Sequence, residues 1–555
     1  MTPPPVPRST SINATTTGTE VQFSHRDRLV ILVGLMLGMF LAALDQTIIA
    51  TALPRISSDL HGVEHLSWIV SSYLLTSTAA TPIYGKLSDL YGRKAMLQIA
   101  IVIFLLTSVL CALSATMPQL IAFRALQGLG GGGLIAMAHA TIADVISPRE
   151  RGRYQAYIAS TFAAASVLGP VLGGLFVDHL TWRWVFWINL PIGVGALIMA
   201  QITLRRLVVR RLRHRIDYPG ALLIVAAVLC VLLVTTTGGN EVPWTSPVIA
   251  GLSAAALVFG VLAVLQELRA SEPILPPRLF QNRVYVVANL INVLVTVSLL
   301  GSITFLPLFL QLVYGLGAGD SGLMLMPLTI SQVVGAISTG RLVAATGRYK
   351  IFPVLGVVCT GTGMILLSMA GGSLLLAGVA MVLCGIGTGL VMPVMLVAVQ
   401  NAVDVRDLGT ATSSISFFRS MGGSFGVALF GAVLIARLDT HVGIIPGHDA
   451  LGPDPGVALL HAGAQALDLV PAAIRSAVAA AMAHAFSDLF RVGAGIALLT
   501  FIAAILLKEL PLKTAVGPAA PEDEKAPPSP PLLSRGDDAG RIAAAMGDPE
   551  APLPH

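Results

Sequence analysis

The sequence predicts an all-α membrane protein, built as two related six-helix bundles with an extra helix pair between them. Two observations predict it. From about Leu29 to Leu507 the chain holds fourteen apolar stretches, each long enough to cross a bilayer. Two sequence patterns also recur at a common offset of about 255 residues. Hydrophobic residues make up 55% of the chain and charged ones 11%, against about 25% charged in a soluble domain. The hydrocarbon core is about 30 Å thick and a helix rises about 1.5 Å per residue, so about 20 apolar residues make one span. Lipid offers backbone amides no partner, so each span must be a helix.

The spans are expected at 29–53, 66–86, 96–114, 118–142, 154–177, 184–204, 217–237, 247–267, 284–311, 321–345, 351–371, 374–400, 409–436 and 486–508. Charge orients them. The N-terminal flank holds Arg26 and Arg28, and alternate connections then hold Lys86, Arg93 and Lys94; Arg149, Arg151 and Arg153; and six arginines from Arg205 to Arg215. The series continues with Arg269, Arg278 and Arg283, then Arg341, Arg348 and Lys350. The intervening connections hold little beyond Arg55 and Arg183. Basic connections stay in the cytoplasm. A cytoplasmic membrane with both termini inside is therefore expected. The loop 438–485 then lies outside, and its Ala-rich part, 472–485, reads as a surface helix.

The resulting organisation is a disordered tail over 1–28, a first bundle over 29–204, and linkers with an inserted hairpin over 205–283. A second bundle over 284–508 and a Pro-rich, charged tail over 509–555 complete it. The repeat rests on two matches. Gly85, Gly92 and Arg93 correspond to Gly340, Gly347 and Arg348. Arg149-Glu150-Arg151-Gly152 corresponds to Arg406-Asp407-Leu408-Gly409, which sets Gly169 opposite Gly426. Parallel six-helix repeats are an architecture of secondary transporters, with the substrate path between the halves.

Other classes fall away. The net charge of +5 is spread over short connections, which is topogenic rather than nucleic-acid-binding. Cys111, Cys230, Cys359 and Cys384 lie within apolar spans without metal spacing. No GxxxxGK[ST] loop is present, so nucleotide-driven transport is not expected. No enzyme constellation, cofactor or metal site is visible.

Several motifs carry a family resemblance over about residues 28–510. Gly85-Lys86-Leu87-Ser88-Asp89-Leu90-Tyr91-Gly92-Arg93-Lys94 is similar to the loop signature of the major facilitator superfamily. Leu120 to Gly128 resembles its fourth-helix signature, and Ala165 to Gly174 its exporter motif. Leu44 to Pro54 resembles the first-helix motif of the fourteen-helix drug:proton antiporters, the EmrB/QacA type. The resemblance implies a major facilitator fold. It also implies a conformational latch at Gly85, Asp89, Gly92, Arg93 and Lys94, where a carboxylate and a guanidinium flank a glycine-bounded turn. Gly169, Pro170, Gly173 and Gly174 would form a close-packing or bending face.

Asp45 stands apart as the carboxylate well inside a span. A buried charge there costs several kcal/mol, a cost that binding a proton removes. Asp45 lies eight residues, ~12 Å, below Leu53, and Arg124 lies six residues, ~9 Å, below Pro118 on an oppositely directed helix. The two are expected at similar depth, either as a proton-coupling pair or as a static salt bridge. His139 reads as an interfacial histidine. Arg419, ten residues or ~15 Å into its helix, has no carboxylate at matching depth. It either caps backbone carbonyls or meets an anionic substrate group. Gln46, Tyr73, Gln127, Asn292 and Gln332, with Arg419, are candidate residues of the substrate path. The expected function is proton-coupled export of hydrophobic, including cationic, compounds, with protons and lipid as the other partners and a periplasmic adaptor left open. The alternatives are export of a lipid, siderophore or other metabolite, uptake of a polar solute, or a non-transporting receptor on a carrier fold.

Overall fold

A computed structural model describes residues 25–60, 66–146, 148–204, 217–238, 242–446, 456, 459, 470–471 and 473–512. Residues 1–24 and 513–555 of the two tails, the arginines from Arg205 to Arg215 and the middle of the 438–485 loop lie outside the described residues, as do the expectations placed on them. Residues 25–28 are the first turn of a helix, and Glu509 and Leu510 are tied to Tyr349.

The described chain is helical. The first half comprises α1 (His25–Leu60), α2 (Leu66–Tyr91), α3 (Arg93–Ala112), α4 (Met117–Val145), α5 (Pro148–His179), the short α6 (Trp184–Trp187) and α7 (Asn189–Thr203). The inserted hairpin is α8 (Tyr218–Thr237) and α9 (Pro247–Arg269), followed by α10 (Pro277–Gln281). The second half comprises α11 (Arg283–Tyr314), α12 (Ala318–Leu323), α13 (Met326–Thr346), α14 (Ile351–Met369), α15 (Leu374–Ala402), α16 (Leu408–Val442) and α17 (Arg475–Leu506). Local chemistry sets several starts. Thr116 caps α4 ahead of Pro118 by accepting from the Gln119 amide. Asn282 caps α11 by accepting from the amides of Val284 and Tyr285 at 3.0 and 3.2 Å.

Thirteen helices among the described residues are long and apolar enough to cross a membrane. The expected span at 66–86 falls on α2, which is long but rich in Ser and Thr. Its hydroxyls are absorbed internally: Thr76 and Thr81 donate to carbonyls one turn back, at 3.0 and 2.7 Å. Ser72 donates across to the Ile121 carbonyl of α4 at 3.2 Å. The composition of α2 reflects its position between other helices, not a loop.

Contacts repeat between the halves. In the first, α5 packs on α1, α4 on both α2 and α3, and α7 on α1. In the second, α16 packs on α11, α15 on both α13 and α14, and α17 on α11. The glycine matches obey the same correspondence. A Cβ on Gly169 of α5 would run into Thr47 of α1, and one on Gly426 of α16 into the Val297 backbone of α11. Gly92 and Gly347 both adopt positive φ, 94° and 69°, a conformation that glycine takes without steric cost.

The halves meet where α16 lies against α2 and α4, and where α13 lies against α5. The hairpin covers the first of these seams. Ile224, Val228 and Leu232 of α8 share a cluster with Leu75 and Ala79 of α2 and Phe417 of α16. The other face of the hairpin exposes Leu257, Val258, Val261, Val264 and Leu265 of α9, a surface suited to lipid.

Three expectations change. The first span extends past residue 53 to Leu60 as one helix. The Gly85–Lys94 turn shrinks to the single residue Gly92, because α2 continues through Tyr91 and α3 begins at Arg93. The Ala-rich stretch is not a separate surface helix. From Arg475 it is the first part of α17. Val478, Ala481 and Ala485 are buried in a cluster that includes Phe309, Phe486 and Phe490. Small side chains allow that close packing, which drives helix association in lipid.

Candidate functional site

Three helices of the first half, α1, α4 and α7, bring charged and amide side chains to one buried point. Arg124 Nη1 donates to Asp45 Oδ2 at 2.6 Å, with side chains 1% and 0% exposed. Asn189 Nδ2 donates to Asp45 Oδ1 at 2.9 Å and Gln127 Nε2 to the same oxygen at 3.2 Å. The amide orientations are set by the wider network. Gln127 Oε1 accepts from Arg124 at 2.8 Å, which turns its nitrogen towards Asp45. Ser108 donates to the Phe186 carbonyl at 2.9 Å and so accepts from Asn189 at 3.0 Å. Arg124 also donates through Nε to the Ile69 carbonyl at 3.2 Å and lies over the Tyr73 ring, 4.5 Å from its centroid.

The chemistry of this shell is one-sided. Each side-chain partner of Asp45 is a donor, which suits a carboxylate and opposes a carboxylic acid. Donors meet both sites of Oδ1 and one of Oδ2, which leaves a proton the second site of Oδ2, beside Arg124. Proton binding at Asp45 therefore strips Arg124 of its counter-charge, which favours displacement among α1, α4 and α7. Sequence reasoning misses Asn189. Its one signal is an amide inside an apolar span, at the start of α7.

A second cluster ties the halves together. Arg93 pairs with Asp89 at 2.6 Å and with Asp144 of α4 at 2.7 Å, and donates to Ser88. Asp89 Oδ2 also accepts from the backbone amide and the hydroxyl of Thr410, both at 2.9 Å. Thr410 lies in the first turn of α16, where amides have no intrahelical acceptor. The motif of one half thus caps a helix of the other. Lys86 pairs with Glu272 at 2.7 Å. Arg278 of α10 grips Asp407, ahead of α16, through two bonds of 2.7 and 3.2 Å. A Cβ on Gly85 would strike Ser413, so the halves approach closely here. Lys94 stands outside the network and makes no ion pair among the described residues. The repeat carries the fold without the chemistry: Ala344 stands where Asp89 stands in the first half, and Arg348 is exposed.

The remaining candidates separate. Gly173 meets Thr51 and Ile48 of α1 as Gly169 meets Thr47, whereas nothing lies within 4 Å of a Cβ on Gly174, which leaves the packing face. Pro170 lies inside α5 and is exposed. Gln127 and Tyr73 are fully buried in the Asp45–Arg124 cluster. Asn292 is buried and donates to the Ile415 carbonyl of α16 at 3.0 Å, which binds α11 to α16. Gln46 of α1 and Gln332 of α13 are half-buried. His139 is buried among the helices at 5% exposure, and its Nδ1 has no partner among the described residues. Arg419 is half-buried, and among the described residues it has neither an ion pair nor a hydrogen bond. It caps no carbonyl. Among the described residues, no group of three or more His, Cys, Asp or Glu side chains could hold a metal ion.

Likeness to known proteins agrees with this geometry. The Major Facilitator Superfamily profile matches residues 35–427. An uncharacterized MFS-type transporter of Mycobacterium tuberculosis is 39% identical over 489 residues, covering 87% of this chain and 70% of its own length. Multidrug transporter protein MdtP of Bacillus subtilis is 39% identical over 419 residues, covering 74% and 76% of the two chains. The proton:xylose symporter XylE has the same fold, with a TM-score of 0.56 at 14% identity over 88% of this chain and 97% of its own. The chain belongs to the Major Facilitator Superfamily and is a multi-pass membrane transporter of small molecules.

Proposed function

We propose that the protein exports hydrophobic compounds, drugs or toxic metabolites, in exchange for protons. In this reading it is a fourteen-helix antiporter of the EmrB/QacA type in the cytoplasmic membrane, with α2 as the fourteenth span and both termini inside. The bundles 29–204 and 284–508 would rock about a path between them, with the hairpin fixed on the α2/α16 seam. Transport needs no covalent chemistry, and the reading invokes no cofactor, nucleic acid or adaptor.

The observation that carries it is the donor-only shell around a fully buried Asp45. A carboxylate whose protonation leaves a buried Arg124 uncompensated ties proton flow to conformational change. The Asp89–Thr410 bonds between halves supply a latch that holds one of the two states. Relatives named multidrug transporter and multidrug resistance protein support the substrate class.

The test is a panel of hydrophobic compounds in everted vesicles under an imposed proton gradient. Accumulation that collapses on adding a protonophore is expected. Accumulation of every compound that persists without the gradient, or no accumulation at all, would overturn the reading.

A further inference from the structure

The middle of the membrane domain carries an unbalanced positive charge. Asp45 and Arg124 cancel each other in the first half. In the second half α11, α13, α14 and α15 hold no charged residue in their middle parts, and Asp320 lies exposed on the short α12. Asp488 of α17 is paired with Arg491 and with Arg437 of the last turns of α16. That leaves Arg419, eleven residues or ~17 Å from the start of α16. Its guanidinium has no ion pair and no hydrogen bond among the described residues, and it is not sealed away. An arginine held in place for structure is normally bonded to carbonyls or carboxylates, because its five donors are costly to leave unmet.

A second unmet group lies on a helix packed against α16. His139 of α4 is buried, has an unpartnered Nδ1, and lies in the electrostatic field of Arg419. The helices that carry the two, α4 and α16, pack on each other across the boundary between the halves. Two nitrogen-bearing groups thus lie on packed helices of different halves, and no acid of the described residues pairs with either.

We propose that Arg419 and His139 form an anion subsite in the transport path, and that the substrate is an amphiphile with a carboxylate or sulfonate on an apolar body. This rests on the export reading and reverses its cationic expectation. A cationic compound would be repelled by an uncompensated guanidinium. An anionic one meets the planar donor fork that suits carboxylate geometry. His139 offers a further donor when Nδ1 carries its hydrogen. A contact shared between the halves also lets the anion bind one state better than the other, as a transported substrate must.

The experiment uses full-length protein in an uncharged maltoside detergent. Its probes are matched series: phenyl, naphthyl and anthracenyl butyrates against the corresponding butylammonium ions. Binding is read by competition and by thermal shift, with sodium chloride as an inorganic control. The butyrates should bind more tightly than their ammonium partners. Arg419→Gln should weaken butyrate binding by about ten- to a hundredfold, or about 1.4–2.8 kcal/mol. Arg419→Lys should retain part of it, which keeps the test valid should the glutamine variant fold poorly. His139→Phe should cost less. The proposal falls if no butyrate outbinds its ammonium partner, if chloride competes as well as the butyrates, or if Arg419→Lys and Arg419→Gln both bind as wild type. Arg419-dependent binding without gradient-driven transport would sink export and leave the subsite. Cations pumped equally by wild type and Arg419→Gln would do the reverse.

Discussion

Replacing Asp45 by Asn removes the negative charge at the buried pair and keeps the shape. Arg124, 1% exposed in its side chain, then loses its only carboxylate. Breaking a buried pair by removing one partner costs about 3–5 kcal/mol. The asparagine NH2 adds to this, because Arg124, Gln127 and Asn189 all point donors at the two positions it could occupy. The variant should therefore denature at a clearly lower temperature. The double variant Asp45→Asn/Arg124→Gln should recover much of that loss, since a neutral pair leaves no charge stranded. Coupling should behave differently. Neither variant can release a proton from position 45, so neither should accumulate substrate against its gradient, although downhill exchange can continue. The assay is substrate-induced proton release in detergent and in proteoliposomes, beside the melting curves. Recovery of stability without recovery of release separates a coupling carboxylate from a static salt bridge. Undiminished release from Asp45→Asn would remove Asp45 from the mechanism.

Other perturbations have equally definite outcomes. Asp89→Asn loses an ion pair to Arg93 and weakens two bonds from Thr410, so transport should slow severalfold while substrate binding persists; an unchanged rate would reduce the motif to a topogenic turn. Gly169→Val should destabilise by about 1–3 kcal/mol because its Cβ meets Thr47, and Gly174→Val should change little because nothing lies near; melting curves distinguish them. Single cysteines at the exposed Tyr91 and Ile444, in a cysteine-free background, should react with an impermeant thiol reagent from opposite membrane sides, and labelling from one side would overturn the span order. Reversing the Lys86–Glu272 pair one residue at a time should slow transport, and the double reversal should restore it if the contact is electrostatic.

Much of the architecture is legible in the sequence, for physical reasons. Span lengths, the repeat and the match of Gly169 with Gly426 come from periodicity and small residues, which act locally. The nearness of Asp45 and Arg124 comes from counting residues along two antiparallel helices. The hidden part depends on which helices meet. Asn189, Asp144, Thr410 and Glu272 reach their partners across 144, 51, 321 and 186 residues of chain. Nothing in their local sequence encodes those pairings. Helix ends are also hard to read. The first span reads too short because polar residues end an apolar stretch without ending a helix. The Ala-rich start of α17 reads as a surface helix because alanine is common to both settings.

The repeat explains the architecture, and the residues it leaves unmatched carry the proposed function. The halves share their contacts and their paired glycines, yet Asp45, Arg124 and Asp89 have no charged counterparts at the corresponding places in the second half. That half contributes Arg419 instead. These groups are not mechanically independent. Thr410, which the latch holds, and Arg419, which lacks a partner, lie on the same helix α16, nine residues or ~14 Å apart. No proline interrupts that helix. A displacement of its first turn, as when Asp89 releases Thr410, therefore carries Arg419 with it relative to His139 on α4. On the other side of the seam, α4 carries Arg124, His139 and Asp144, so a shift that accommodates a proton at Asp45 reaches both the latch and the unpaired histidine. In the proposed mechanism two continuous helices, α4 and α16, connect the Asp45 site, the Asp89–Thr410 contact and Arg419 without a chain of intermediate side chains. Coupling should then be more sensitive to a flexible insertion in α4 between Arg124 and His139 than to any single side chain along the way. A variant with a Gly-Pro pair there that still folds and still exchanges protons for substrate would show that the connection runs elsewhere.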